Sequence, residues 1–328
     1  MIGELIAIFA VMTFVISNVL FRKTEDEATP VFINFFRTAI GTITFIIFAF
    51  LLNIFDKIFL LPFELWIVLF ISFLFGQVFG DTAYFNAQKD LGTTLALGVS
   101  MTFPLFTFIL SMLFLNQEFE ISLLLSLICI STGVIIIGKS KSKVSIIEDP
   151  SFNSPKPLNR KGSKKKLDFN SIRALIFGLI ASLSWAIGLI IIEFATLQID
   201  VILSLQEGLS SVLGNVIRFP FAAAILTLMV GTESYSIKKD KKVNISPWRK
   251  SAVTWVYLVI AALIGTSLGA YVYTEAARVA GSTVMALIAS ASPLFSLPIT
   301  YMINKEKISK IGFLGVILTV IGVAIIII

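Results

Sequence analysis

Five ionisable residues stand inside apolar stretches of this sequence: Arg37, Asp81, Glu193, Arg218 and Glu275. At the centre of a bilayer each costs about 2.5–3.5 kcal/mol even on the lenient insertion scale, so each asks for a partner, a water-filled cavity or a function. Arg37, Asp81 and Arg218 are the deepest. Glu193 and Glu275 fall near the ends of their predicted helices, where water is closer. Arg37 lies about six residues into one predicted helix and Asp81 about seven from the end of the next. The two run antiparallel, and at about 1.5 Å per residue both groups sit roughly 10 Å from the same face. They form a buried ion pair, unless Arg37 snorkels to the headgroups instead. Arg218 has no acidic counterpart at the matching place. It either offers its guanidinium to a carboxylate or phosphate, which it can bind bidentately, or is satisfied by Glu193 or Glu275.

Around Asp81 the polar residues are spaced for one helix face. Gln77, Asp81, Tyr84 and Gln88 fall at i, i+4, i+7 and i+11, a stripe expected to face a watery substrate path. Gly76, Gly80, Ala83 and Ala87 form a second stripe of small residues, the pattern that lets another helix approach closely, although such spacing also arises by chance. Gly265 and Gly269 repeat it. Pro104 and Pro293 stand within predicted helices, where each removes a backbone donor and should kink the helix. Ser100, Thr107 and Ser111, and likewise Ser296 and Thr300, share faces with these prolines, and either re-satisfy freed carbonyls or line a path. Trp185 sits mid-helix, away from the interfacial belt, and either packs between helices or walls the cavity.

The elements that position these groups follow from composition. With 57% hydrophobic and 14% charged residues and a mean hydropathy of +0.95, the expected solvent is lipid. Runs matching the roughly 20 residues needed to span a hydrocarbon core occur at 3–21, 31–52, 65–88, 93–115, 120–138, 173–195, 209–230, 252–277, 282–303 and 309–328. The first lacks a basic leader and a small-residue cleavage site and reads as a retained helix. The fold class is all-α integral membrane, with ten spans.

Lys and Arg distribute unevenly between alternate loops. One side holds Arg22 and Lys23, Lys89, ten residues between Lys139 and Arg173, six between Lys238 and Lys250, and Lys305, Lys307 and Lys310, 22 in all; the other holds Lys57 and Arg278. The positive-inside rule puts the basic side in the cytoplasm and both termini outside, in a cell-membrane protein. The same loops could instead meet nucleic acid or anionic lipid; topogenesis is the simpler reading, and no nucleic-acid partner is expected. The polar stretch 139–172, with Pro150, Pro155, Pro157 and three successive lysines at 164–166, reads as a flexible cytosolic linker.

On either side of the linker the same marks recur at a separation of 189 residues. Gly76 and Gly80 answer to Gly265 and Gly269, Tyr84 to Tyr273, Gly92 to Gly281, Pro104-Leu105-Phe106 to Pro293-Leu294-Phe295, and Gly133 to Gly322. At slightly different offsets Phe36-Arg37 resembles Ile217-Arg218, and Asn116-Gln117-Glu118 resembles Asn304-Lys305-Glu306. Asp81 maps onto Ala270. Five spans per repeat is an odd number, so the second repeat lies inverted, an arrangement of many secondary transporters. The organisation is therefore a first five-helix repeat at 1–138, the linker at 139–172, and a second repeat at 173–328.

At these residues the chain resembles the drug/metabolite transporter superfamily, specifically the EamA-type ten-helix permeases. The likeness covers nearly everything outside the linker. It rests on the early Arg of helices two and seven, the Gly-rich helices three and eight running into Tyr84-Phe85-Asn86-Ala87 and Tyr273-Thr274-Glu275-Ala276, the Pro of helices four and nine, and the turns holding Glu118 and Glu306. It implies movement of amino acids, other small metabolites or drugs. It also implies cytoplasmic termini, against which the charge distribution argues.

Other classes find little support. There is no GxxxxGK[ST] loop for ATP, no Gx[SC]xG elbow, no HExxH, and no cofactor or metal motif. The single cysteine, Cys129, forbids an internal disulfide, and the absence of His removes the usual proton shuttle. Asp81, Glu193 and Glu275 remain as carboxylates for proton coupling. The expectation is a permease, not an enzyme, that passes a small-molecule substrate by alternating access through a path formed by Gln77, Asp81, Tyr84, Gln88, Trp185, Arg218 and Tyr273. A monomer suffices for this. The alternative is a lipid scramblase or a scaffold; a scramblase would turn the polar stripe toward lipid.

Overall fold

A bilayer offers backbone N–H and C=O groups no outside partners, so apolar runs satisfy them internally as helices. The structure, a computed structural model, describes residues 2–91, 93–118, 120–139, 169–205, 208–239, 248–304 and 310–327. Among these, every regular element is helical. Most of the linker, Lys238-Lys239-Asp240-Lys241-Lys242 beyond Lys239, Gly92, and the turn holding Lys305, Glu306 and Lys307 lie outside the described residues.

The helices are α1 (Ile2–Arg22), α2 (Pro30–Leu51), α3 (Phe63–Phe73), α4 (Thr82–Leu91), α5 (Thr93–Ser100), α6 (Phe103–Phe114), α7 (Ile121–Lys139), α8 (Phe169–Leu203), α9 (Leu209–Lys239), α10 (Ala252–Ala262), α11 (Gly269–Ala280), α12 (Ser282–Ser290), α13 (Ser292–Asn304) and α14 (Lys310–Ile327). Their starts follow local chemistry. Thr29 caps α2 by accepting from Phe32 N at 3.2 Å, with Pro30 supplying the first turn. Ser251 caps α10 by accepting from Thr254 N at 3.2 Å. Gly281 ends α11 at φ +85°, a conformation that L side chains adopt only with strain.

Three kinds of departure from the expected elements matter for the site. Helices α3 and α4 join through a π-helical segment, Leu74–Asp81, and α10 and α11 through another, Leu263–Leu268. The second begins 189 residues after the first. The wider π turn breaks the strict α spacing assumed for the stripe at 77, 81, 84 and 88, so those side chains diverge. The expected spans 93–115 and 282–303 are each broken, at Met101-Thr102 and at Ala291. Pro104 consequently stands in the first turn of α6, where its missing N–H costs little, and does not kink a continuous helix. Pro293 is likewise the second residue of α13. Finally, α8 runs eight residues past its expected end, which leaves Glu193 ten residues short of Leu203 and well inside the helix.

The first helix of each half packs mainly on the other half. Helix α1 lies against α10, its π segment, α11, α12 and α13, whereas α8 lies against α3, the first π segment, α4, α5 and α6. Helix α2 packs on α9, and α7 on α14. Six helical stretches are long and apolar enough to cross a membrane, Ile2–Arg22, Pro30–Leu51, Phe63–Asp90, Ile172–Leu203, Leu209–Glu233 and Ala252–Ala280, with shorter apolar helices besides. Large apolar side chains such as Leu51, Phe63, Leu113, Leu228 and Val253 face outward, while Asn34, Gln77, Asp81, Asn215 and Arg218 are buried. That inversion of the soluble pattern marks a multi-pass membrane protein.

Candidate functional site

Between α1 and α8 lies a cavity of about 120 Å³, lined by residues of α1, α2, α3, both π-helical spans, α6, α8, α9, α11 and α12. At about 30 Å³ per water, that is space for roughly four waters or a small metabolite. Most of its wall is apolar, including Val11, Phe14, Phe73, Leu189, Ile192 and Met285; its charged groups are Arg37, Asp81 and Arg218.

The structure brings Arg37 and Asp81 together, Nη2 to Oδ2 at 3.4 Å, both nearly buried. Arg37 Nε donates to Thr266 Oγ1 at 2.9 Å, which ties α2 to the π segment of the other half. Phe21 and Phe85 stack near the guanidinium, with ring centroids 5.8 and 5.5 Å from its carbon. The other carboxylate oxygen of Asp81 accepts from Trp185 Nε1 at 2.8 Å. Trp185 thus does both things the sequence allowed: it lines the cavity and packs among Phe14, Tyr84 and Phe103.

Arg218 has different company. Its Nη1 donates to Asn215 Oδ1 at 3.2 Å, its carbon lies 4.6 Å from the Phe73 ring centroid, and its Nε is buried with no hydrogen-bond partner. Neither carboxylate considered for it is close at hand. Glu193 accepts from Ser282 N at 2.6 Å, and Glu275 binds Arg278 and Ser211.

Gln77, Trp185, Arg218 and Tyr273 line the cavity together with Asp81, but Tyr84 and Gln88 do not. Both are fully buried, Tyr84 in the first turn of α4 and Gln88 in the last, and Tyr84 Oη donates to Gln88 Oε1 at 2.6 Å and Gln88 Nε2 to Glu25 Oε1 at 2.6 Å. Arg22 completes this cluster, bonding Glu25 and, at 2.9 Å, the Gln88 carbonyl. Burial pushes the Glu25 carboxyl above its usual range, with Arg22 and Gln88 pulling the other way. At the opposite end a second cluster joins Arg278 to Asp200 at 2.9 Å and to Glu275, which also accepts from Ser211 at 2.7 Å.

Gly76, Gly265 and Gly269 border the cavity; Gly80 does not. A methyl at Gly80 would lie 2.5 Å from Trp185 Cδ1, and one at Gly269 2.9 Å from Thr13 Oγ1. At Gly265 it would collide with Ser17, and Gly76 faces Gly188 of α8. Ser100, Thr107 and Ser111 are buried away from the cavity wall. Thr107 donates to the Phe103 carbonyl at 3.0 Å, and Ser111 meets Ser282 at 3.0 Å.

Sequence reasoning missed two asparagines. Asn34 donates to the Gln77 carbonyl at 2.8 Å and to Thr82 Oγ1 at 2.9 Å, and Asn215 reaches the Ala270 carbonyl at 3.4 Å. A π turn displaces carbonyls from their α-helical donors, and Asn34 supplies a donor to one of them, whereas the Ala270 carbonyl lies just past the second π segment. The signal is present: an Asn stands three residues before each of Arg37 and Arg218.

Comparison with known proteins agrees with this architecture. A protein of Archaeoglobus fulgidus described as an uncharacterized transporter is 23% identical over 309 residues, 94% of this chain and 92% of its own length. A solved crystal structure superposes with a TM-score of 0.69 over 98% of this chain and 95% of its own, at 13% identity, a likeness of fold alone. The model of the EamA-like transporter family matches residues 1–139 and 172–328. The chain, a membrane transporter by that match, belongs to the EamA-like transporter family.

Proposed function

We propose that the protein is a secondary permease that passes a small metabolite through the central cavity by alternating access, and that its ten spans form two inverted five-helix repeats. The observation that carries this reading is the cavity itself, between α1 and α8, with charged groups from α2, the π segment before α4, and α9 in its lining. The paired π segments and the reciprocal packing of α1 and α8 support two repeats related by a pseudo-twofold axis. The Arg22–Glu25–Gln88 and Arg278–Glu275–Asp200 clusters occupy opposite helix ends, where alternating access needs its gates. Of the three carboxylates suggested for proton coupling, Asp81 is the one on the cavity wall. The inward burial of Gln77, Asp81, Tyr84 and Gln88 argues against a scramblase, which needs a polar groove open to lipid.

Purified protein in liposomes, given pooled metabolites with and without a pH gradient, should accumulate a subset of them above protein-free vesicles. No accumulation, combined with leaflet exchange of a fluorescent lipid, would replace the permease with a scramblase. The charge distribution supports a cell-membrane protein with its linker in the cytoplasm and both termini outside. In a Cys129→Ser background, cysteines at the termini should react with an impermeant thiol reagent in intact cells and one in the linker should not. The reverse pattern would invert the orientation.

A further inference from the structure

We infer that the substrate carries one carboxylate on a compact apolar body and that the Nε edge of Arg218 binds it. This deepens the permease reading and rests on the cavity being its substrate site. Arg218 is only 7% exposed and carries its charge at any physiological pH. Yet Nε has no partner, and the groups beside it, the Asn215 amide oxygen and the Phe73 ring, are neutral. Since Nη1 is turned to Asn215, the free edge is the one pairing Nε with Nη2, two parallel N–H groups matched to a carboxylate.

Charge bookkeeping within the cavity selects a monoanion. Arg37 and Asp81 cancel at 3.4 Å, which leaves one uncompensated positive charge on the wall. One carboxylate neutralises it, whereas a dianionic phosphate would bring a surplus negative charge into an apolar space. Val11, Leu189, Ile192 and Met285 suit a short branched body, and the volume limits the ligand to small-metabolite size.

The test is binding of isocaproate, isocaproamide and isoamylphosphonate to the full chain in detergent at about pH 8.5, where the phosphonate is mostly a dianion, by titration calorimetry and by shift of the unfolding midpoint. Isocaproate should bind at least about tenfold more tightly than the amide and more tightly than the phosphonate. Arg218→Gln should erase the difference between acid and amide, and Arg218→Lys should reduce it by about tenfold because the fork is lost. Asn215→Asp keeps Arg218 but gives it an internal carboxylate, and should abolish acid binding in a folded protein even if the Arg218 variants misfold. Equal binding of acid and amide, preference for the phosphonate, no binding by any of the three, or an acid preference that survives Arg218→Gln or Asn215→Asp would each overturn the inference. Flux is read separately, by isocaproate counterflow in liposomes. Acid-selective binding without flux of any solute would keep the anion site and remove the permease. Flux of neutral solutes without acid selectivity would do the opposite.

Discussion

The two buried arginines occupy matching places, each in the second helix of its half and three residues after an asparagine, yet their surroundings differ. Arg37 has a carboxylate, a threonine hydroxyl and two rings; Arg218 has an asparagine, a ring and an orphaned Nε. Ala270 stands 189 residues after Asp81, so no carboxylate occupies the matching place beside Arg218. One half spends its arginine on holding itself to the other, through Thr266, and the second half leaves its arginine for something that arrives from outside.

The largest effect should come from cutting the pair that is complete. Asp81→Ala leaves Arg37 buried and unpaired and should destabilise the fold by about 3–5 kcal/mol, whereas Arg218→Met removes a charge that has no partner and should leave stability unchanged or raised. Thermal unfolding in detergent decides between them. Equal losses would erase the distinction. The conservative pair should separate by readout: Arg37→Lys lowers stability, while Arg218→Lys lowers ligand affinity with the protein still folded.

Helix contacts offer a second contrast. Gly80→Leu drives a side chain into Trp185, and Gly269→Leu into Thr13, so each should cost about 1–3 kcal/mol or more and reduce folded yield. Phe79→Leu, at a residue 48% exposed on the outer surface, should change little. Normal yield and transport in both glycine variants would show the contacts to be dispensable.

Smaller effects belong to the loop between α1 and α2, where two neighbouring carboxylates are shifted in opposite directions. Burial raises Glu25 above its usual 4.5, so between that value and its folded value the folded state holds the proton more tightly. Stability there must fall as pH rises, because the folded protein bears the cost of ionising a buried acid. Glu27 is held below 4.5, first by the Ser251 backbone N–H and then by its hydroxyl, so its contribution is present above 4.5 and is lost as pH falls through its folded value. Glu25→Gln should flatten the slope above 4.5, and Glu27→Gln the slope below it, in unfolding midpoints followed against pH. A Glu25→Gln protein with the wild-type slope would contradict the burial argument.

Much of the helical framework is legible in the sequence because lipid imposes long apolar runs and because Thr29-Pro30 and Ser251 mark helix starts in the usual way. The Arg37 and Asp81 depths follow from counting residues along antiparallel helices. Other features are not legible. The eight residues after Ala195 mix Thr196, Gln198 and Asp200 with apolar neighbours, which reads as a loop; α8 continues through them because Arg278 neutralises Asp200 and Thr196 bonds back to the Ile192 carbonyl at 2.8 Å. The π segments leave no compositional trace, and without them the stripe from Gln77 to Gln88 looks continuous when it in fact splits between the cavity and the Glu25 cluster. The asparagines are not legible because a polar residue one turn from an arginine suggests solvation, when here Asn34 bonds the π-turn carbonyl of Gln77 and Asn215 the carbonyl of Ala270.

The central claim is that substrate occupies the cavity between the two arginines. In Cys129→Ser protein carrying Ala289→Cys, a residue on that cavity's wall, a small thiol reagent should label the cysteine and block liposome transport. Saturating transported substrate should slow that labelling about tenfold or more, the protection expected when the ligand fills most of the site. Labelling at the same rate with and without substrate, or full transport after complete labelling, would contradict it.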